Sequence, residues 1–206
     1  MQLALPEIAF PAVLTFDRDS ERRADMLDDE KFWALCEANP DTGLERTPQG
    51  EVVIVPPAGG ESDYRSAETV GQLHAWARRT RKGKVFGSTA LFMLPDGSAL
   101  SPDAAWVSNG RLAELTKAER RRFLRLVPEF VVEVRSPSDR LSTARKKMDQ
   151  WIANGVELGW LVDGDARCVH VYRPGTGPVV HSGEMLAGEG PLEGLEFWLS
   201  ELWDGL

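Results

Sequence analysis

The stretch that decides the fold lies between residues 101 and 147 and contains three segments. They are Ser101-Pro102-Asp103-Ala104-Ala105-Trp106-Val107, then Pro128-Glu129-Phe130-Val131-Val132-Glu133-Val134-Arg135-Ser136-Pro137, and then a helical segment with Lys147. The first two contain apolar runs typical of buried strands, and each run has a carboxylate near one end. Because a buried carboxylate without a partner loses its hydration at a high cost, Asp103 and Glu133 need one. Two acids that converge with a lysine predict a divalent metal site at a sheet edge.

The composition predicts one compact domain spanning residues 1–206. With 42% hydrophobic and 27% charged residues, the chain has enough apolar surface for a core, which argues against global disorder. The formal net charge of -8 disfavours a nucleic-acid partner, because phosphate binding is driven by cationic surface. A local basic patch nevertheless matters more than the total charge.

The two cysteines, Cys36 and Cys168, lie in apolar surroundings without the spacing of a zinc site, and we predict two reduced core thiols. No apolar run approaches the roughly 20 residues of a membrane span. The first seven residues lack the basic region of a signal peptide. A cytoplasmic protein that does not contact the membrane is the resulting prediction.

The order of elements predicts an α/β (α+β) domain in which a mixed sheet is flanked by helices. Residues 44–47 and 52–55 form a hairpin in this prediction, and residues 100–107 form a single strand. Residues 111–126 form a charged helix, and residues 130–134 form a central strand because the run is short, β-branched and apolar. Another helix follows and extends to about Asn154.

Lys147 can be placed on that helix by counting roughly 100° per residue from Leu141. Lys147 falls at roughly 240°, at the border of the apolar arc, while Lys146 falls at roughly 140°, out in solvent. Arg145, at roughly 40°, borders the other edge of the arc. We therefore expect Lys147 to reach over the sheet toward Glu133.

Oxygen ligands around such a site favour Mg²⁺, with Mn²⁺ as the alternative ion. Asp103 and Glu133 are the expected carboxylate ligands, and the carbonyl of Val134 is a candidate additional ligand. Glu45, in an early short strand, is a further acid that could contact the ion directly or through water.

These motifs occur in a characteristic order: Pro102-Asp103, then Glu133-Val134-Arg135-Ser136-Pro137-Ser138, then Lys147 with Trp151 and Gly155-Val156, then Trp160-Leu161-Val162-Asp163. In this order they resemble a bacterial family of restriction-endonuclease-like proteins, an Uma-type domain of unknown function within the PD-(D/E)xK nuclease superfamily. The similarity covers residues 27–175, which leaves an N-terminal extension and a C-terminal tail. The resemblance implies a restriction-endonuclease-like core and Mg²⁺-dependent endonuclease hydrolysis of DNA phosphodiester bonds.

By position, the resemblance assigns Asp103 and Glu133 to the metal-binding acids and Glu45 to an early acidic residue. The superfamily pattern has lysine two residues after the second acid, where this chain has Arg135. Arginine stays charged and cannot act as a base. The resemblance implies that Lys147, on the next helix, replaces that lysine and orients or deprotonates the attacking water, or neutralises developing charge.

The expected partner is DNA, with separate cations to hold it, namely Arg78, Arg79, Arg81, Lys82 and Lys84. Two alternatives stay open. The acidic net charge and Arg135 favour an inactive nuclease-fold module for binding or assembly, and a hydrolase of another phosphate ester is the second alternative. The oligomeric state is also open, with a homodimer as one option.

Overall fold

A computed structural model describes residues 27–204, and these residues form three sheets and five helices. In chain order the elements are α1 (Asp29–Ala38), β1 (Gly43–Arg46), β2 (Val52–Val55), α2 (Gly60–Thr80), β3 (Gly83–Gly87), β4 (Phe92–Met93), β5 (Ala99–Leu100), β6 (Ala104–Ser108), α3 (Asn109–Glu114), β7 (Phe130–Arg135), α4 (Leu141–Ala153), β8 (Leu158–Asp163), β9 (Cys168–Tyr172), β10 (Val179–His181), β11 (Met185–Ala187), β12 (Glu196–Trp198) and α5 (Ser200–Trp203). The predicted α+β class is thereby confirmed.

The main sheet has six strands in the order β10-β9-β8-β7-β6-β3. Strands β7 and β8 pair in parallel, and the other neighbours in this sheet pair antiparallel. Five of the six β7 residues are buried, including Glu133, and the sixth, Arg135, is partly buried. The apolar run at residues 130–134 thus forms an interior strand, as its composition indicates.

Helices cover both faces of this sheet. Helix α4 connects the parallel strands β7 and β8, and its Met148 and Trp151 are fully buried against one face. Helix α2 packs Leu73 and Trp76 on the other face, where Phe197 from the C-terminal segment joins the same core. A parallel pair requires such a crossover, and the buried strands between two helical layers explain the near-continuous apolar sequence of β7 and β8.

A second sheet has four strands in the order β2-β1-β5-β4. The predicted hairpin at residues 44–47 and 52–55 corresponds to β1 and β2, which pair Glu45 with Val53. The predicted single strand at residues 100–107 is wrong. It is divided into β5 in the second sheet and β6 in the main sheet, because Pro102 has no N–H for a strand ladder. Residues 101–103 therefore connect the two sheets.

The predicted helix at residues 111–126 is also wrong. Helix α3 ends at Glu114, and a separate 3-10 turn follows at Glu119–Arg121. Thr116 and Glu119 explain the break, because the side chain of each accepts a hydrogen bond from the backbone N–H of the other. This capping box starts a new turn where the periodic pattern predicted a continuous helix.

Gly83 is required by the close approach of β3 to β6. A Cβ atom at this position would lie 2.3 Å from the carbonyl oxygen of Val107 and 2.5 Å from the Trp106 ring. We expect Gly83→Ala to lower the free energy of unfolding by about 1–3 kcal/mol, since a packed strand pair accommodates extra volume poorly. Urea denaturation measures the loss. Gly87→Ala on the same strand is the control, because its Cβ meets no atom within 4 Å, and an equal loss in both variants would contradict this account.

Candidate active site

Asp103 and Glu133 meet where β6 begins and β7 ends. The antiparallel register pairs Ala104 with Val132, so its continuation by one residue places Asp103 opposite Glu133. The Oδ2 atom of Asp103 accepts a hydrogen bond from the backbone N–H of Val134 at 2.6 Å. Strand pairing therefore brings together two acids that are far apart in the sequence.

Lys147 reaches these acids from α4. Its Nζ lies 3.2 Å from Oε1 of Glu133 and 3.0 Å from Oε1 of Glu45. It also donates a hydrogen bond to the carbonyl oxygen of Ser101 at 3.1 Å. The Lys147 ammonium thus links the end of β7 to the segment between the two sheets.

Glu45 joins the cluster from β1 in the second sheet. Its Oε1 accepts a hydrogen bond from the Ser101 backbone N–H at 2.9 Å, in addition to its contact with Lys147. Glu45 is only 8% exposed, so these two contacts replace lost hydration. The Ser101 N–H orients the Glu45 carboxylate, and that carboxylate in turn holds the Lys147 ammonium.

Trp151 donates a hydrogen bond to Glu133. One turn after Lys147 on α4, its indole Nε1 donates a hydrogen bond to Oε1 of Glu133 at 2.7 Å, and the ring is fully buried. The spacing of four residues places both side chains on the same face of the helix. One helix face therefore supplies Glu133 with an ammonium and an indole donor.

We expect Trp151→Phe to lower the free energy of unfolding by about 1–3 kcal/mol, because Glu133 loses a buried donor. The loss should be greater at pH 9 than at pH 5, since the ionised carboxylate needs the donor more than the neutral acid does. Urea denaturation at the two pH values measures both effects. Trp198→Phe is the control because Trp198 is 47% exposed, and a pH-independent loss for Trp151→Phe would indicate lost packing alone.

Burial and the proximity of other acids raise the pKa of Asp103 and of Glu133. Burial raises the pKa of Glu133 to about 8, with nearby Asp103 and Glu45 adding to the rise and Lys147 and Trp151 opposing it. Burial also raises the pKa of Asp103, although the Val134 amide and Lys147 oppose that rise. The positive charge of Lys147 alone thus does not offset the burial of these carboxylates. An additional cation would stabilise the ionised forms of Asp103 and Glu133.

The acids also raise the pKa of Lys147, and for this residue the raised pKa favours the charged form. Burial by itself lowers the pKa of Lys147, but the charges of Glu133 and Glu45 and the hydrogen bond to Glu45 more than offset burial, so the pKa is raised. Lys147 is consequently an ammonium ion at neutral pH in this geometry. An ammonium can donate hydrogen bonds and neutralise charge, but it cannot remove a proton from water.

Arg135 does not contact the acids of this cluster. Its guanidinium lies 3.0 Å from Oδ1 of Asp163, its partner in the β7–β8 register, and also pairs with Asp165. The residue at the superfamily's lysine position is therefore held in ion pairs on the neighbouring strand and loop. Lys147 provides the ammonium at the cluster instead.

The structure places the predicted DNA-binding cations away from the acids. They lie at the end of α2 and the start of β3, namely Arg78, Arg79, Arg81, Lys82 and Lys84. Strand β3 pairs Gly83 with Ser108 and Gly87 with Ala104, so these cations flank the end of β6 that is opposite Asp103. At 3.3 Å per residue, four strand residues separate the two ends by roughly 13 Å.

The donor set fits a magnesium ion, which is usually bound through one or two carboxylates, waters and substrate oxygens. In residues 27–204, no three His, Cys, Asp or Glu side chains are arranged to enclose a metal ion by themselves. Asp103 and Glu133 nevertheless offer two carboxylates, and the Glu133 hydrogen bond and ion pair to described residues both use Oε1. Its Oε2 atom accepts no hydrogen bond from residues 27–204 and fits a ligand role.

Sequence reasoning missed two contributions to this cluster. Ser101 uses its backbone N–H and carbonyl to contact Glu45 and Lys147, and no side-chain pattern signals a backbone role. The hydrogen bond from Trp151 to Glu133 was not predicted, although the position of Trp151 four residues after Lys147 places both side chains on the same helix face. For Val134, the contact observed uses the backbone N–H, while the predicted carbonyl ligand remains a prediction.

Comparison with known proteins identifies the family. The model of the Uma2 family, described as "Putative restriction endonuclease", matches residues 29–200, and the chain belongs to this family. No curated protein matches the chain significantly. The family resemblance predicted from the motif order is confirmed.

A solved structure shares the fold. The crystal structure of a protein from Anabaena variabilis ATCC 29413, described as a putative nuclease belonging to DUF820, superimposes with a TM-score of 0.66 at 19% sequence identity. The match covers 78% of this chain and 89% of that protein. The family and the shared fold together define a restriction-endonuclease-like protein.

The helices bear on the membrane prediction. Within residues 27–204, none is both long and apolar enough to cross a bilayer. The predicted lack of a signal peptide concerns residues that lie outside the described part of the chain.

Proposed function

We propose that this chain is a divalent-metal-dependent endonuclease that hydrolyses phosphodiester bonds of DNA, with Mg²⁺ as the metal and Mn²⁺ as a substitute. One observation supports the proposal above all others: Glu133 and Glu45 both contact the ammonium of Lys147, and the β6–β7 register places Asp103 opposite Glu133. The family and the fold support the same class of reaction.

Asp103 and Glu133 would hold the ion, with the Val134 carbonyl as a candidate third ligand. A bound divalent ion supplies a water of lowered pKa and stabilises negative charge on the phosphate. Asp103 is oriented for this role by the Val134 N–H, and Glu133 by the Trp151 indole. These hydrogen bonds keep the two carboxylates in place before the substrate binds.

Lys147 acts in this mechanism as a cation. Because its pKa is raised, it donates hydrogen bonds to the attacking water or the phosphate and neutralises developing charge. Glu45 is a positioning residue, since its contact with Lys147 and with the Ser101 N–H fixes the direction of the ammonium. The proton of the attacking water then passes to solvent or to a phosphate oxygen rather than to Lys147.

The distance between the acids and the basic cluster at the end of α2 and the start of β3 indicates the path that bound DNA would take. A strand whose phosphate is at Asp103 and whose backbone also contacts Lys84 must follow the β3 edge of the main sheet over roughly 13 Å. This span corresponds to a few nucleotides, so both contacts fit one DNA molecule. Cationic contacts of this kind position the backbone without selecting a sequence.

Incubation of the purified protein with supercoiled plasmid in Mg²⁺, Mn²⁺ or EDTA tests the proposal. We expect nicked and linear products with either ion and none with EDTA. The same protein with Lys147→Ala, purified in parallel, excludes a contaminating nuclease. An intact plasmid under all conditions would overturn the endonuclease proposal and favour a binding or assembly module.

A further inference from the structure

A half-open pocket of about 460 Å³ adjoins the acid cluster and shares two residues with it. The shared residues are Glu45 and Ser101, and both contact Lys147. We call this cavity the side pocket. Its remaining walls come from α1, the loop before β1, the β1–β2 hairpin, the β3–β4 loop and Phe123. A substrate group in the side pocket would therefore lie next to a phosphate held at the acid cluster.

The lining of the side pocket disfavours phosphate. Its charged members are all acidic, namely Glu37, Asp41 and Glu45, and no Lys, Arg or His from the described residues lines it. Phosphate groups are bound through cations and hydrogen-bond donors, so an anionic lining repels the sugar-phosphate backbone. The lining therefore disfavours any negatively charged group.

The same lining favours a flat aromatic group. Trp33 and Phe123 both line the side pocket, and their ring centroids are 4.5 Å apart at 63°. Neither residue is fully buried. The Arg122 guanidinium lies 4.7 Å from the Trp33 ring centroid and covers one face of that ring, so a ligand would use the remaining exposed ring surface. Aromatic rings stack on any nucleobase, because every base has a π-face. The volume also falls within the ~300–1,000 Å³ that small-molecule sites occupy.

We propose that the side pocket accepts an unpaired nucleobase of the substrate strand, adjacent to the phosphate that is hydrolysed. The inference rests on the proposed nuclease function and narrows its substrate to single-stranded or locally unpaired DNA. A base inside a duplex is stacked and paired, so it enters a protein pocket only after it has been unpaired. In the side pocket, the ligand would be held by stacking on aromatic rings and not by cations.

Fluorescence anisotropy with labelled single-stranded oligonucleotides tests the side pocket without any need for cleavage. One oligonucleotide has normal bases and the other is abasic throughout, and both are titrated in Ca²⁺, a divalent ion that also prefers oxygen ligands. We expect wild type to bind the normal strand about tenfold more tightly, because a base that stacks on an aromatic side chain strengthens binding. Equal affinity for the two strands would overturn the inference.

Two exposed residues of the lining allow the side pocket to be filled. Thr89→Trp, and independently Ser88→Phe, should remove the preference for the normal strand to within about twofold. Thr176→Trp, in an exposed turn outside the lining, is the matched control and should keep the preference. Far-UV circular dichroism verifies that the variants fold. A preference that survives in both filled variants would show that the bases bind elsewhere and overturn the inference.

The plasmid assay and the binding assay test the two proposals independently. Loss of Mg²⁺-dependent cleavage overturns the proposed function, whereas equal affinity for normal and abasic strands overturns only the role of the side pocket. A nuclease that cuts single-stranded DNA faster than the matched duplex supports both.

Discussion

Lys147→Ala is expected to slow Mg²⁺-dependent DNA cleavage by about 10²–10³-fold, the usual effect of removing one preorganised group that stabilises transition-state charge. Among the described residues, Lys147 forms ion pairs with both Glu45 and Glu133. Without it, both carboxylates lose their cation, and the phosphate loses a hydrogen-bond donor beside the attacking water. Initial rates of plasmid nicking measure the effect.

The adjacent lysine provides the control for this variant. Lys146 is exposed on the same helix, so Lys146→Ala should leave the nicking rate close to that of wild type. Loss of one partner of a buried ion pair can cost about 3–5 kcal/mol of stability, so thermal denaturation must show that the Lys147→Ala protein is folded. Lys147→Gln, which keeps a donor without the charge, gives a second test. Near wild-type rates in folded Lys147 variants would remove Lys147 from the mechanism.

Glu133→Gln is expected to separate stability from activity. It should abolish cleavage, since the amide replaces a carboxylate assigned to the metal. In EDTA at pH 8 and above, however, it should stabilise the protein by on the order of a few kcal/mol. The reason is that the folded protein at high pH contains an ionised, buried Glu133, whereas the variant contains a neutral side chain of the same shape.

The pH range over which wild type loses stability follows from the raised pKa of Glu133. In the folded protein the pKa of Glu133 is about 8, compared with an ordinary value of 4.5. Between these values the folded state retains a proton that the unfolded state has released. Wild-type stability is therefore highest below pH 4.5, as far as this group is concerned, and declines as the pH rises toward 8. In Glu133→Gln this contribution is absent, so its stability should depend less on pH.

Urea denaturation in EDTA across this interval measures the difference between the two proteins. Added Mg²⁺ should restore part of the wild-type stability at pH 8, because an ion that binds the folded state alone stabilises it, and it should have less effect on the variant. Glu184→Gln is the control, as that side chain is exposed. Parallel losses of stability in wild type and Glu133→Gln would show that another group titrates.

Local sequence patterns were sufficient for the elements that build the cluster. The apolar run at residues 130–134 became the interior strand β7, and helical periodicity placed Lys147 at the border of the buried face of α4, where it contacts Glu133. These predictions succeed because side-chain direction along a strand or a helix is set by backbone geometry alone. The failures have local causes too, namely the Pro102 break and the capping box at Thr116 and Glu119.

By itself, then, the sequence determined the α+β class, the family through its motif order, and the residue types that can hold a metal. The tertiary structure alone decided that Glu45 reaches Lys147 from a separate sheet, that Ser101 contributes its backbone, and that the basic cluster lies at the opposite end of β6. It also formed the side pocket. These features depend on how the two sheets pack together. Contacts between distant segments produce no periodic pattern in the sequence, so sequence periodicity cannot predict them.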